Sequence, residues 1–233
     1  MTSRHAEQRH TRRAPAQPAD AEAYEILAGR DAALAALIAQ HGRPDPFSWG
    51  VLEDAAGSDP FAELALHIVS QQISTSAALT IFRRIGESTG AGIEPAALIA
   101  APPEALRAAG LSGAKGRSLR DLSERVLDGR LDFARLARSD DAAAQDELEH
   151  VLGVGPWSAE MFLLHHLRRP DVFPVADVGL QRSAQSAFGL AARPTPPELG
   201  ARAESWRPLR SYAAALLWAH GQDALADEHA PHA

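Results

Sequence analysis

The chain contains no cysteine, and this absence removes several classes of site at once. Without thiols there is no disulfide, no cysteine-ligated zinc and no iron–sulfur cluster. Aromatic residues make up only 6% of the sequence, and the alternating β-branched pattern of strands is missing. The apolar residues are mostly alanine and leucine, which favour helices. We therefore predict an all-α fold.

Long hydrophobic runs are also missing. No segment reaches the length of a membrane span, and residues 1–20 lack the apolar stretch of a secretory signal. We expect a cytoplasmic, monomeric protein without a membrane partner. A chain of 233 residues is long enough for one domain or for two closely packed lobes.

The net charge of −7 argues only mildly against a nucleic-acid partner. Binding depends on local charge, and basic residues recur in pairs such as Arg83 with Arg84 and Arg168 with Arg169. Each pair taken alone is more typical of a solvated helix face.

The ends of the chain differ from its middle. Residues 1–19 are polar without a hydrophobic period and predict a disordered basic tail, and residues 224–233 predict a short C-terminal tail. Residues 20–223 form the predicted domain. Within it, Asp20 is suited to cap a helix running to Gly42, and "SQQIS" interrupts a helix that opens at Pro60.

The stretch "LGVGPWSAEMFLLHHL" predicts a hairpin at residues 152–156 followed by a helix. Gly153 and Gly155 permit positive φ and leave their N–H groups open to a polyanion. Pro156 suits the first helical position, and the free amides behind it form a phosphate site to which Ser158 can add a donor. The alternative is a tight turn between two packed helices.

Three stretches resemble one family when taken together. "LGVGPWSAEMFLLHHLRRPDVFPVADVGLQRS" is similar to the hairpin region of the helix-hairpin-helix (HhH-GPD) DNA glycosylases, in which an aspartate follows the hairpin helix; here that aspartate is Asp177. "DPFAELALHIVSQQISTSAALTIFRRI" and "SWRPLRSYAAALLW" resemble further parts of this family, the latter in its 3-methyladenine DNA glycosylase II branch. The resemblance implies a two-lobed helical fold without the N-terminal β-domain of some relatives.

The resemblance also implies a reaction. A glycosylase flips the damaged base out of duplex DNA, and a fixed carboxylate stabilises the positive charge that develops on the sugar. Asp177 is the implied catalytic residue. Its position before a helix equally suits an N-cap, and the two roles are compatible.

Trp157 stands where bifunctional members of the family carry a nucleophilic lysine, and the only lysine in this chain is Lys115 in a different loop. We therefore expect a monofunctional base excision repair glycosylase without AP-lyase activity, acting on alkylated purines such as 3-methyladenine and 7-methylguanine. Two alternatives stay open: a glycosylase for a deaminated or oxidised base, and a non-catalytic DNA-binding module.

The resemblance places Trp157 and Trp218 in the base pocket, although Trp218 suits a core position equally well. Met161 replaces a tyrosine of well-known members, which leaves the lesion range open, and Phe47 and Trp49 fit either a second aromatic face or the core.

Gln72 occupies the position of the side chain that fills the gap left by a flipped base. Gln71 is expected to bind base edges or to satisfy the helix break. We expect no cofactor and no metal held by side chains, histidines 165 and 166 included. The family implies only Na⁺ or K⁺ on the backbone carbonyls of the hairpin.

Overall fold

Helices account for the fold. In a computed structural model that describes residues 18–48 and 51–228, no strand occurs among those residues, so the all-α prediction is confirmed. These residues form α1 Pro18–Arg30, α2 Ala32–His41, α3 Val51–Ala56, α4 Pro60–Ser70, α5 Thr75–Thr89, α6 Pro95–Ala100, α7 Pro103–Ala108, α8 Gly113–Leu127, α9 Phe133–Arg138, α10 Asp141–Glu149, α11 Pro156–His165, α12 Val178–Ala187, α13 Pro196–Ala203, a 3₁₀ turn Glu204–Trp206, and α14 Arg210–Glu228. None of the described helices is long and apolar enough to cross a bilayer.

Two separate hydrophobic cores define two lobes. The first core belongs to α3 through α11 and contains side chains such as Leu64 and Phe162. The second joins α1 and α2 to α12, α13 and α14, with Trp206 fully buried at its centre. Trp218 packs against both cores. The predicted two-lobed arrangement is therefore confirmed, and the chain leaves one lobe after α2 and returns to it before α12.

Short polar side chains set the helix starts that matter for the site. The carboxylate of Asp59 accepts the N–H of Phe61 at the start of α4, and the hydroxyl of Ser74 accepts that of Ala77 at the start of α5. The predicted interruption at "SQQIS" lies between these two helices. Such caps satisfy first-turn amides that have no partner within the helix.

Several predicted boundaries were wrong. The single helix expected from Asp20 to Gly42 is two helices, because Asp31 caps α2 through the N–H of Ala33 and also accepts the indole N–H of Trp206 at 3.1 Å. Lys115, which was expected in a loop, lies in α8, because this helix already begins at Gly113. Residues 224–228 continue α14 instead of starting a tail. Trp49 and the tail residues 1–17 and 229–233 lie outside the described residues.

Candidate active site

Asp177 lies at the start of α12, where three helices from both lobes meet. Its Oδ1 accepts the backbone N–H of Leu180 at 2.6 Å and the indole N–H of Trp218 at 3.2 Å, and its Oδ2 accepts the indole N–H of Trp157 at 2.9 Å. The predicted N-cap role is therefore confirmed. The three donors are uncharged, so they hold the carboxylate in one orientation without neutralising it.

The close approach of α12 and α14 depends on a glycine. A Cβ at Gly221 of α14 would lie 2.1 Å from the hydroxyl of Ser183 on α12. Real Cβ atoms do not come that close, so a side chain here would displace the Ser183 hydroxyl from the carbonyl of Gly179 or move the two helices apart. Gly221 lies three residues after Trp218, and this contact brings the Trp218 indole within reach of Asp177.

A pocket of about 480 Å³ opens between the lobes beside Trp218. Met161 and His165 of α11 form one wall, Trp218 of α14 forms another, and the loop that contains Asp45 closes a third side. Volumes of this order are typical of small-molecule sites. Met161 and Trp218 line this pocket, whereas Trp157 is not among its lining residues and contacts Asp177 instead. That the pocket receives the base stays a prediction.

His165 adds no positive charge to the pocket wall. Burial lowers the pKa of His165 to about 4, so its imidazole is neutral at physiological pH. The ring stacks loosely between Trp218 and His67, with centroids 6.5 Å and 6.4 Å away. Burial and the neighbouring His165 also hold the pKa of the fully buried His67 well below its ordinary value.

Of the two hairpin glycines, Gly153 occupies the position that requires a glycine more strongly. Gly153 has φ +81°, and a Cβ there would lie 2.5 Å from the Ser118 hydroxyl. Gly155 is extended, with φ −105°, and does not use the positive φ that a glycine permits. No atom lies within 4 Å of the position that a Gly155 Cβ would occupy, and α11 begins without a side-chain cap. The first amides of α11 therefore have no side-chain cap, and nothing crowds the backbone at Gly155, as a phosphate site requires.

Gln71 braces the hairpin from inside the protein. Its amide nitrogen donates to the carbonyl of Gly153 at 2.9 Å and to the hydroxyl of Ser158 at 3.0 Å. Ser158 is only 3% exposed and its hydroxyl accepts from Gln71, so its donation to a phosphate stays a prediction. The side-chain amide of Gln71 thus connects the break between α4 and α5 to the hairpin.

Gln72 lies exposed at the interruption between α4 and α5 and has φ +59°, a left-handed conformation that side chains rarely adopt. Its role as the wedge in DNA stays a prediction. Sequence reasoning missed its neighbour Ile73, which is 38% exposed. An apolar residue in a polar helix break was the available signal, since wedge side chains are usually apolar.

Other predicted residues have structural roles. Phe47 is buried in the second core. The carboxylate of Asp171 accepts hydrogen bonds from Arg207 and Arg210, and the hydroxyl of Ser211 donates to the carbonyl of Arg169, so these contacts organise the start of α14.

The metal prediction concerns side chains and the hairpin backbone. His166 lies 2.7 Å from the carboxylate of Glu63. Over residues 18–48 and 51–228, no three His, Asp or Glu side chains gather as a set of metal ligands. A monovalent cation on the hairpin carbonyls stays a prediction; the Gly153 carbonyl accepts one hydrogen bond, from Gln71, and has a second lone pair.

The family model described as HhH-GPD superfamily base excision DNA repair protein matches residues 66–208, so the chain belongs to this superfamily. DNA-3-methyladenine glycosylase 1 of Schizosaccharomyces pombe is 30% identical over 163 residues, which cover 69% of this chain and 72% of the relative. The putative DNA-3-methyladenine glycosylase YfjP of Bacillus subtilis is 28% identical over 181 residues, but the match spans only 63% of that relative and 72% of this chain.

A solved structure of S. pombe 3-methyladenine DNA glycosylase Mag1, in complex with abasic DNA, superposes with a TM-score of 0.75 at 26% identity, covering 84% of this chain and 95% of that one. The family and the 3-methyladenine glycosylase branch inferred from the sequence are thereby confirmed.

Proposed function

We propose that this protein is a monofunctional DNA glycosylase that hydrolyses the N-glycosidic bond of alkylated purines, such as 3-methyladenine and 7-methylguanine, in duplex DNA. The observation that carries the proposal is the Asp177 carboxylate, held by three N–H donors, one from Trp218 of the pocket wall and one from Trp157 of the hairpin helix. A helix cap needs only the N–H of Leu180. The two indole donors fix the carboxylate further, which is typical of a reacting group.

The proposed reaction begins with a nucleotide flipped out of the duplex, its base in the pocket and its sugar beside Asp177. The bond between C1′ and the base nitrogen breaks, and the base leaves with the bonding electrons. Asp177 stabilises the positive charge on the sugar. A water oxygen then bonds to C1′, and its proton passes to the carboxylate or to solvent.

The pocket wall favours a cationic base. An alkylated purine carries a positive charge before cleavage and becomes neutral on leaving, so it needs little help from an acid. The indole face of Trp218 attracts cations, and a neutral His165 does not repel them. A protonated histidine at the same place would favour a neutral base.

The position of the only lysine supports hydrolysis without strand cleavage. The ammonium group of Lys115 donates to the carbonyls of Val69 and Gln71 at 2.8 Å and 2.6 Å, which keeps it engaged away from Asp177. Trp157 provides no amine where lyase members of the family have one. Borohydride should therefore trap no covalent protein–DNA adduct, and an adduct would contradict the monofunctional proposal.

Contacts with DNA are proposed at two places. The open amides at the start of α11, next to Gly155, would hold a phosphate, and Gln72 would enter the gap left by the flipped base. The relative Mag1 was solved with abasic DNA, which supports duplex DNA as the partner.

The decisive experiment measures base release from a panel of lesions by the wild type and by Asp177→Asn. Asparagine still caps a helix, so the variant should fold, bind abasic DNA as tightly or more tightly, and lose nearly all excision. Asp140→Asn is the matched control, because Asp140 caps α10 in the same way.

Each alternative has its own outcome in this experiment. Release of oxidised or deaminated bases without release of alkylpurines would replace the substrate class. Undiminished excision by Asp177→Asn would remove Asp177 from the mechanism. No excision of any lesion by the wild type, with DNA binding retained, would favour a binding module.

A further inference from the structure

Lys115 links helix α8 to the end of helix α4. It lies in the first turn of α8, and its ammonium group donates to the carbonyls of Val69, in the last turn of α4, and of Gln71, just beyond it. The last carbonyls of a helix lack partners within the helix and carry partial negative charge. A lysine between them supplies both hydrogen-bond donors and the opposite charge.

The carbonyl that Lys115 binds belongs to the residue that braces the hairpin. The side chain of Gln71 reaches the carbonyl of Gly153 and the hydroxyl of Ser158, while its own carbonyl accepts from Lys115. The next residue, Gln72, holds a left-handed conformation at φ +59°. A conformation that side chains rarely adopt persists only where its surroundings hold it in place.

The partial burial of Lys115 also indicates that its ammonium group binds the backbone of the helix break. Partial burial lowers the pKa of its ammonium group, whereas Arg117, two residues further along α8, is exposed. A cation placed to meet phosphates directly would be expected at the surface. Lys115 instead directs its donors at the backbone of the helix break.

We propose that Lys115 is a positioning residue that holds the break between α4 and α5 in the conformation from which Gln72 and Ile73 enter the DNA duplex. The inference rests on the proposed function, because it concerns the step in which the base leaves the duplex. Lys115 acts through Gln71 and Gln72 and does not itself touch the reacting atoms.

The test compares Lys115→Met with Arg117→Met, which removes one positive charge from the same helix. Single-turnover excision is measured for a lesion opposite its normal partner and for the same lesion opposite an abasic site, where flipping costs less. We expect Lys115→Met to lose about tenfold or more against the paired lesion and much less against the unpaired one. Arg117→Met should show no such difference between the two substrates.

A second readout does not depend on catalysis. The fluorescence of 2-aminopurine placed next to the lesion, or next to an abasic-site analogue, reports unstacking. Lys115→Met should reduce this signal at saturating protein, and Lys115→Arg, which keeps the charge and several donors, should recover part of it. If the wild type excises no alkylpurine, the proposed function fails, yet this fluorescence still tests Lys115.

The contrary results are distinct. An equal loss against paired and unpaired lesions, with unchanged fluorescence, would overturn the proposal and make Lys115 a fold-stabilising residue only. Equal weakening of DNA binding by Lys115→Met and Arg117→Met, with normal unstacking at saturation, would make it a phosphate contact. Should Lys115→Met fail to fold, Lys115→Gln, which keeps one donor, is measured in the same way.

Discussion

At the residue scale, the pair of indole donors distinguishes Asp177 from an ordinary helix cap. Each carboxylate oxygen accepts one indole N–H, from Trp157 or from Trp218, at 2.9 Å and 3.2 Å. Hydrogen bonds to a charged acceptor are stronger than those between neutral groups. The orientation of the carboxylate relative to a bound sugar therefore depends on two side chains that come from different lobes.

Replacing Trp157 or Trp218 by phenylalanine keeps an aromatic ring and removes the donor. We expect each variant to lose about 10- to 100-fold in the single-turnover rate of base release, which corresponds to about 1.5–3 kcal/mol for a bond to a charged group. Trp206→Phe is the matched control, because Trp206 donates to Asp31 away from the site. An undiminished rate in both Trp157→Phe and Trp218→Phe would show that these bonds do not matter for catalysis.

Glu160, one turn after Trp157 on α11, is a second carboxylate with an unusual environment. Burial first, and then the nearby Glu149, raise its pKa to about 7, while Arg210 acts in the opposite direction. Because the pKa in the folded state lies above the unfolded value of about 4.5, the folded protein holds the proton longer. Glu160 therefore lowers the stability of the fold as pH rises from about 4.5 to 7.

Glu160→Gln should stabilise the protein at pH 8 by roughly 1–3 kcal/mol, with a gain that shrinks towards pH 5. Urea unfolding at both pH values measures the effect. Glu124→Gln, at an exposed position of α8, should show no gain that depends on pH. Equal stability of wild type and Glu160→Gln at pH 8 would contradict the raised pKa.

At the scale of elements, the contact between α12 and α14 connects stability with the site. Gly221→Ala should lower both, because a methyl group 2.1 Å from the Ser183 hydroxyl pushes apart the helices that carry Asp177 and Trp218. We expect a loss of about 1–3 kcal/mol in the free energy of unfolding and a slower excision rate per folded molecule. Calorimetry and single-turnover kinetics measure the two effects.

Two variants control for this substitution. The double variant Gly221→Ala with Ser183→Ala removes the clashing oxygen and should recover most of both losses. Gly200→Ala, in a helix where the new methyl group meets only an ordinary contact at 3.6 Å, should be neutral or slightly stabilising. A Gly221→Ala protein as stable and active as the wild type would disprove the tight approach.

At the scale of the whole molecule, buried histidines set the response to acid. The folded protein keeps His67 and His165 neutral, with pKa values below the unfolded value of about 6.5. The unfolded chain therefore binds more protons below that pH, and the free energy of unfolding should fall as pH falls from about 6.5 to 5. Glu160 opposes this trend over part of the same range.

The histidine effect is best measured in Glu160→Gln, where the opposing carboxylate is gone. Urea unfolding between pH 8 and pH 5 should show stability that is flat above about pH 7 and falls below it. His165→Gln should reduce the slope. A free energy of unfolding that does not change between pH 6.5 and 5 would mean that both imidazoles are protonated as readily in the folded state as in the unfolded one.

Local patterns predicted much of this protein. Alanine and leucine content, with Pro60 at a helix start, predicted the helices and the break at "SQQIS", because such signals act within one turn of their own residue. The same reasoning was wrong for the long helix before Gly42, where Asp31 both caps α2 and binds the distant Trp206. It also gave no sign that Ser158 is buried and accepts from Gln71.

By itself the sequence determined the hairpin, the position of Asp177 at a helix start and the absence of a lysine at Trp157, since each depends on neighbours in the chain. Only the tertiary structure decided which groups meet: Trp218 with Asp177 across 41 residues, Gln71 with Gly153 across 82, and Lys115 with the carbonyl of Gln71. These contacts arise from the packing of helices and of two lobes whose cores are interleaved along the chain. No pattern of neighbouring residues specifies that packing, because it depends on the fit of surfaces that are distant in sequence.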